Sequence, residues 1–195
     1  MSQMSEKQLA RASALAARRA MSTAARAAQD EALTQAAVDL VRGVKRVAAY
    51  APMPGEPGGA QLPDRLAAAV EHLLLPVLRP DRDLDWARYV SGAPMRGGVP
   101  GGPLLREPEG PALGRDAVAR VDAVIVPALG VDKTGVRLGR GGASFDRALS
   151  RVPAGTAVVA LLYEGELCDA LPAELHDRPV TAILTPSGLY LTIMS

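Results

Sequence analysis

The pattern of apolar and polar positions divides the chain into helix-period segments that alternate with short apolar runs. Ser5-Glu6-Lys7-Gln8 fits a capping box and predicts a helix to about Ala20. Ser22 can cap a second helix, about Ala24 to Arg42, with Leu33, Ala36, Ala37, Leu40 and Val41 as its apolar stripe. Gly43 supplies its stop. Val44–Tyr50 reads as the first strand. Leu62–Leu73 predicts a helix and Leu74–Leu78 a second strand. Ser91–Gly114 is rich in Gly and Pro and predicts an irregular excursion. Ala123–Pro127, Thr156–Tyr163, Pro179–Thr185 and Leu189–Ile193 read as further strands, and Glu164–Ala170 as a short helix or turn. Parallel strands separated by helices imply a doubly wound α/β domain. The expectation is one domain spanning residues 1–195, with a mostly parallel sheet and helices on both faces.

Composition narrows the function classes. The 195 residues suffice for one sizeable core. Lys and Arg total 22 against 21 Asp and Glu, so no global charge marks a nucleic-acid or membrane-surface binder. No apolar run approaches the roughly 20 residues that span a bilayer. A single cysteine, Cys168, excludes an intrachain disulfide and agrees with a reducing cytoplasm. It falls in Glu166-Leu167-Cys168-Asp169, expected to be a helical turn with a buried, inert thiol. His72 and His176 are the only histidines, which excludes a His-rich metal site.

The chemistry concentrates in Val121–Ser150. The buried strand is followed by a loop with Gly130, Gly135, Gly139, Gly141 and Gly142, and with Lys133, Arg137 and Arg140. Phe145–Leu149 then begins a helix. A strand, a glycine-rich cationic loop and a helix N-terminus together suit phosphate: backbone N–H groups can approach the oxygens, and guanidinium groups can clamp them. Neither a Walker-type Gly-Lys-Ser/Thr nor GxGxxG is present. A long surface loop with its arginines in water is the competing reading, and spacing alone does not separate the two. Lys7 and Arg11 lie four apart, hence on one helix face, which by itself describes any solvated face. Glu56 follows the end of the first strand, where open α/β sheets place ligands; an exposed loop carboxylate would look the same.

Arg137-Leu138-Gly139-Arg140-Gly141-Gly142 with Asp146-Arg147, preceded by Pro127-Ala128-Leu129-Gly130-Val131-Asp132, resembles the signature of the 5-formyltetrahydrofolate cyclo-ligase family. Lys7/Arg11, Glu56, Glu107-Pro108 and His176-Asp177 extend the resemblance over nearly the whole chain. It implies a fold of the NagB/RpiA/CoA-transferase type, and a monomer whose partners are small molecules, ATP and 5-formyltetrahydrofolate, with no nucleic acid or membrane. It further implies ATP-dependent ring closure to 5,10-methenyltetrahydrofolate in the cytoplasm. By the same resemblance, Lys7, Arg11 and the loop Arg137, Leu138, Gly139, Arg140, Gly141, Gly142, Ala143, Ser144 and Phe145 bind ATP. Glu56 and Phe145 contact the folate, Arg140 and Asp146 are catalytic, and Asp146 and Asp177 hold Mg2+. Leu84–Tyr89, with the lone Trp86, matches a short strand before the variable excursion, and Trp86 is expected in the core.

Two departures stand out. The family's loop usually closes with a third Gly and two tyrosines, where this chain has Ala143-Ser144-Phe145. Ala143 therefore predicts an ordinary backbone conformation where Gly could adopt positive φ. Pro103-Leu104-Leu105 replaces the aromatic residue near the pterin, so this wall of the pocket is expected to be apolar. A non-catalytic nucleotide- or folate-binding relative is the alternative that the altered loop allows.

Overall fold

The computed structural model describes residues 5–97, 106–173 and 178–193. In chain order its elements are α1 (Glu6–Ala20), α2 (Thr23–Leu40), β1 (Arg46–Ala48), α3 (Leu62–Ala69), β2 (His72–Leu78), β3 (Leu84–Tyr89), β4 (Met95–Gly97) and β5 (Arg106–Pro108). A 3-10 segment at Arg115–Arg120 precedes β6 (Ala123–Pro127), β7 (Gly130–Asp132), β8 (Arg137–Leu138) and α4 (Ser144–Leu149). The chain continues through β9 (Ala157–Leu161), β10 (Leu167–Cys168), β11 (Ala182–Thr185) and β12 (Gly188–Leu191). The expected capping box opens α1: the Gln8 N–H donates to Ser5 Oγ, and the Ser5 N–H donates to Gln8 Oε1 at 2.8 Å.

Seven strands form the main sheet in the order β12-β11-β9-β6-β1-β2-β3. The five inner strands are parallel, and the edge strands β3 and β12 pair antiparallel. The order runs one way from β1 to β2 and the other way from β6 to β9, so the winding reverses between β1 and β6. Alternate residues of the inner strands serve two cores. Val124, Val126, Val158 and Ala160 pack with Val118 of the 3-10 segment and with Ala148 and Leu149 of α4. Val47, Ile125, Val159 and Leu161 face Leu33 and Ala37 of α2 and Leu62 and Leu66 of α3. Helices thus cover both faces, as expected of a doubly wound sheet. Each fully buried leucine here contributes about 2 kcal/mol.

Several local expectations need correction. The helix expected to Leu73 ends at Ala69, and Val70 is already extended. Leu73 and Leu74 then point into opposite cores, which only a strand can achieve. An apolar run of this length does not by itself distinguish strand from helix. Cys168 lies in the short strand β10, paired with β7, not in a helical turn. Its side chain is half-buried, not buried, and that partial burial pushes the thiol pKa up, aided by nearby Asp132 and Glu166. The excursion is not wholly irregular: β4 and β5 form a hairpin, anchored where buried Glu107 accepts the Leu78 N–H at 2.8 Å. Residues 98–105, which include the Pro103-Leu104-Leu105 wall, lie outside the described residues. Trp86 is fully buried, as expected.

Ala143 contradicts its expectation most directly. It caps α4 in the left-handed conformation, φ 53° and ψ 11°, without a side-chain cap hydrogen bond. The turn is therefore imposed on a residue with a Cβ, at about 1 kcal/mol. α4 is also only six residues long, so its macrodipole is a weak source of positive charge. Ala143→Gly should relieve the strain and raise unfolding stability by about 0.5–1 kcal/mol, read from urea denaturation with an unchanged m-value.

Candidate functional site

Loops leaving β1 and β6 diverge at the reversal point and open a crevice beyond the carboxyl ends of the strands, the usual ligand position in such sheets. A cavity of ≈ 310 Å³ fills it. Its apolar wall comes from Met53, Pro76, Leu78, Leu84, Pro127 and Phe145. Lys7, Arg11, Arg18, Arg137 and Arg140 bring positive charge to it, against the carboxylates of Glu56 and Asp146. Gly139, Gly141, Gly142, Ala143 and Ser144 complete the rim.

The charged groups are mutually positioned. Arg140 Nε donates to Glu56 Oε1 at 2.9 Å, and the Met53 N–H donates to Glu56 Oε2 at 2.9 Å. Glu56 is buried, so this pairing offsets the desolvation of its carboxylate. Arg137 donates to Asp146 Oδ1 at 2.5 Å and to the Pro127 carbonyl at 3.1 Å. Its guanidinium lies 6.0 Å from the Phe145 ring centroid, which helps to orient that ring. Arg137 Nε is buried without a hydrogen-bond partner. Arg11 reaches across from α1 and donates to the Gly139 carbonyl at 2.8 Å. Gly141, at φ 98°, would place a Cβ 3.7 Å from the Arg11 guanidinium. The cationic face of α1 and the glycine turn therefore meet at one edge of the cavity.

Other residues of the cationic loop have structural duties. Leu138, expected at the nucleotide, pairs with Gly130 and buries its side chain in the core instead of lining the cavity. A Cβ on Gly135 would lie 2.3 Å from the Val180 carbonyl, so this glycine serves close packing. Lys133 pairs with Asp169 at 2.9 Å, at an exposed site outside the cavity lining. His176 and Asp177 lie outside the described residues. Among the described residues no three His, Cys, Asp or Glu side chains gather into a metal cluster. Asp146 still suits Mg2+, because only its Oδ1 is engaged by Arg137 and the ion is often held by one or two carboxylates together with phosphate oxygens.

The sequence model of the 5-formyltetrahydrofolate cyclo-ligase family matches residues 3–186. A cyclo-ligase of that name from Mycolicibacterium smegmatis is 38% identical over 191 residues, covering 95% of this chain and 96% of its own length.

The chain belongs to the 5-formyltetrahydrofolate cyclo-ligase family.

A Haemophilus influenzae cyclo-ligase is 30% identical over 160 residues, covering 80% of this chain and 84% of the relative. Among solved structures, the Aquifex aeolicus 5,10-methenyltetrahydrofolate synthetase superposes with a TM-score of 0.76 at 26% identity, covering 97% of this chain and 94% of that one. The Mycoplasma pneumoniae synthetase, at 19% identity, shares the fold with a TM-score of 0.72 over 93% of this chain and 99% of its own. No helix among the described residues is long and apolar enough to cross a membrane.

Sequence reasoning missed Arg18. It is buried, and it pairs in bidentate fashion with Glu166 at 2.6 and 2.8 Å. It also donates to the Ala128 carbonyl at 2.5 Å and to the Gly55 carbonyl at 3.4 Å. One side chain from α1 thus ties the loops after β1, β6 and β9. The available signal was spacing: Lys7, Arg11 and Arg18 recur at i, i+4 and i+11, a single helix face. Tyr50 and the apolar residues of β2 and β3 carried no local signal, since in sequence they read as core. Arg18→Met should strand the half-buried Glu166 carboxylate and destabilise the fold by about 3 kcal/mol in urea melts. Adding Glu166→Gln should recover part of that loss, because the two side chains act as a pair.

Proposed function

We propose that the chain catalyses ATP-dependent cyclisation of 5-formyltetrahydrofolate to 5,10-methenyltetrahydrofolate, with release of ADP and phosphate. The observation that carries this reading is one cavity with an apolar wall, a buried carboxylate beside it and a cationic rim. Such a cavity suits a flat heterocycle and a polyphosphate side by side. Glu56 can accept two N–H groups from the aminopyrimidine edge of a pterin. Pro76, Leu78, Leu84 and Phe145 give its ring an apolar bed. Lys7, Arg11, Arg137 and Arg140, with the turn at Gly139–Ser144, suit the nucleotide phosphates.

The chemistry follows from the substrate. Amide resonance makes the formyl oxygen the nucleophilic atom, but it leaves the formyl carbon a poor electrophile and oxide a poor leaving group. Transfer of the γ-phosphoryl to that oxygen releases ADP and leaves an iminium phosphate at N5. N10 attacks the formyl carbon and gives up its proton to solvent, the C–O bond breaks, and inorganic phosphate departs, leaving the five-membered amidinium ring closed. The protein has to align two anionic ligands and stabilise spreading charge. Arg140 serves both requirements. Its Nε holds Glu56, while its terminal nitrogens are outside that ion pair and can meet the transferring group. A divalent ion bound with the nucleotide supplies further charge neutralisation, with Asp146 as its protein ligand in the cavity and Asp177 as a second candidate. Phe145 keeps an aromatic face but has no phenol to donate, so Ser144 is the nearby hydroxyl of this turn.

The purified protein should generate the near-ultraviolet band of the methenyl product only with ATP and Mg2+ both present. ATP binding without that band would instead identify a non-catalytic relative. Arg140→Ala should raise the ATP dissociation constant at least tenfold by equilibrium titration, since a charge-assisted contact to phosphate contributes about 1.5–3 kcal/mol. Arg42→Ala, at an exposed residue of the α2 C-terminus, should leave it unchanged.

A further inference from the structure

Arg147 ends the loop motif, yet it does not line the cavity. One terminal nitrogen, Nη2, donates to two carbonyls, that of Arg82 at 2.6 Å and that of Gly142 at 3.2 Å. The first belongs to the turn between β2 and β3, the second to the glycine turn before α4. Among the described residues only Arg82, at φ 64°, and Ala143, at φ 53°, hold positive φ without being glycine. One guanidinium therefore spans the two turns that carry this strain. Strain of this kind persists only where the surroundings fix it.

Arg151, four residues on and just past α4, makes a second link between the same segments. It pairs in bidentate fashion with buried Asp83, Nη2 to Oδ2 at 2.6 Å and Nη1 to Oδ1 at 3.1 Å. It also donates to the Arg147 carbonyl at 2.9 Å. β2 and β3, which the Arg82 turn joins, contribute Pro76, Leu78 and Leu84 to the apolar wall of the cavity. The glycine turn contributes Gly139, Gly141, Gly142, Ala143 and Ser144 to its rim. The two arginines thus tie wall to rim from outside the cavity lining.

From this geometry, and resting on the cyclo-ligase reading above, we infer that Arg147 is a positioning residue for the reaction. It touches neither ligand. It holds the glycine turn against the β2–β3 turn, and so sets how far a phosphoryl group on the rim stands from a heterocycle on the wall. In-line transfer is sensitive to that distance, and a misplacement of about 1 Å can cost about a hundredfold in rate. Binding of each ligand depends on its own half of the cavity and is less affected by the spacing between the halves.

Arg147→Met tests this. It removes both donated bonds and strands no buried carboxylate, and the buried Nε has no partner to lose. In steady-state assays of the whole protein, kcat should fall at least about tenfold while the KM for each substrate stays within about threefold. Arg147→Lys, whose ammonium can donate to both carbonyls, should recover part of kcat. In the ligand-free protein, amide hydrogen exchange should quicken about tenfold in the turns at residues 80–83 and 140–144, and stay unchanged in β6 and β9. An unchanged kcat in Arg147→Met overturns the inference. So does an ATP KM that rises about tenfold at constant kcat, since Arg147 would then be a phosphate contact. Exchange that quickens equally in β6 and β9 reports a general loss of stability and overturns it too. If the unsubstituted protein makes no methenyl product, the cyclo-ligase reading fails and this inference with it.

Discussion

Arg18 is the residue through which the site keeps its shape. A doubly wound sheet leaves a crevice where its winding reverses, and the loops bordering that crevice leave different strands. Here one buried guanidinium from α1 bonds the loop after β1 through Gly55, the loop after β6 through Ala128, and the turn after β9 through Glu166. The guanidinium also lies 5.3 Å from the Tyr163 ring centroid. The Tyr163 hydroxyl in turn lies within hydrogen-bond distance of Asp30 and the Glu56 carbonyl, at 2.8 and 3.1 Å. Burial and the neighbouring Asp30 push the phenol pKa well up, so Tyr163 remains a neutral donor. Breaking this network would leave a charge and several carbonyls buried without partners, which is why it can hold three loops in one geometry.

The electrostatics of the cavity follow from that scaffold. Its cations outnumber its carboxylates, and the two carboxylates are each matched to an arginine: Glu56 to Arg140 and Asp146 to Arg137. Each pair limits the cost of collecting like charges in a partly dry crevice. It also fixes the reach of each guanidinium, so that a polyanion meets groups already aimed. The glycine turn obeys the same constraint. Gly141 takes φ 98°, a conformation that favours glycine, and the turn holds even Ala143 at positive φ. Strain at that residue is therefore a consequence of holding, with a residue that carries a Cβ, a conformation that favours glycine.

Much of this was legible in the order of residues alone. Strand and helix alternation, read from the period of the apolar residues, announced the doubly wound sheet. The Ser5 and Ser22 caps were readable because capping depends on side chains within three residues of one another. The motif at Arg137–Arg147 disclosed the family and two of the cavity's five cations, Arg137 and Arg140. Glu56 could be placed at the ligand end of a strand because that end is a property of topology.

The remainder waited on the folded chain. His72 and Leu73 read as the end of a helix until pairing with β1 draws them into the strand. Leu138 belongs to the motif yet turns into the core, because pairing of β7 with β8 sets its facing. Arg18 and Tyr50 gain their meaning from groups more than a hundred residues away or on another element. Local spacing reports the interactions a residue makes with its neighbours along the chain. Burial, pairing of charges and the shape of a cavity are set by which distant segments meet, and that depends on the whole fold.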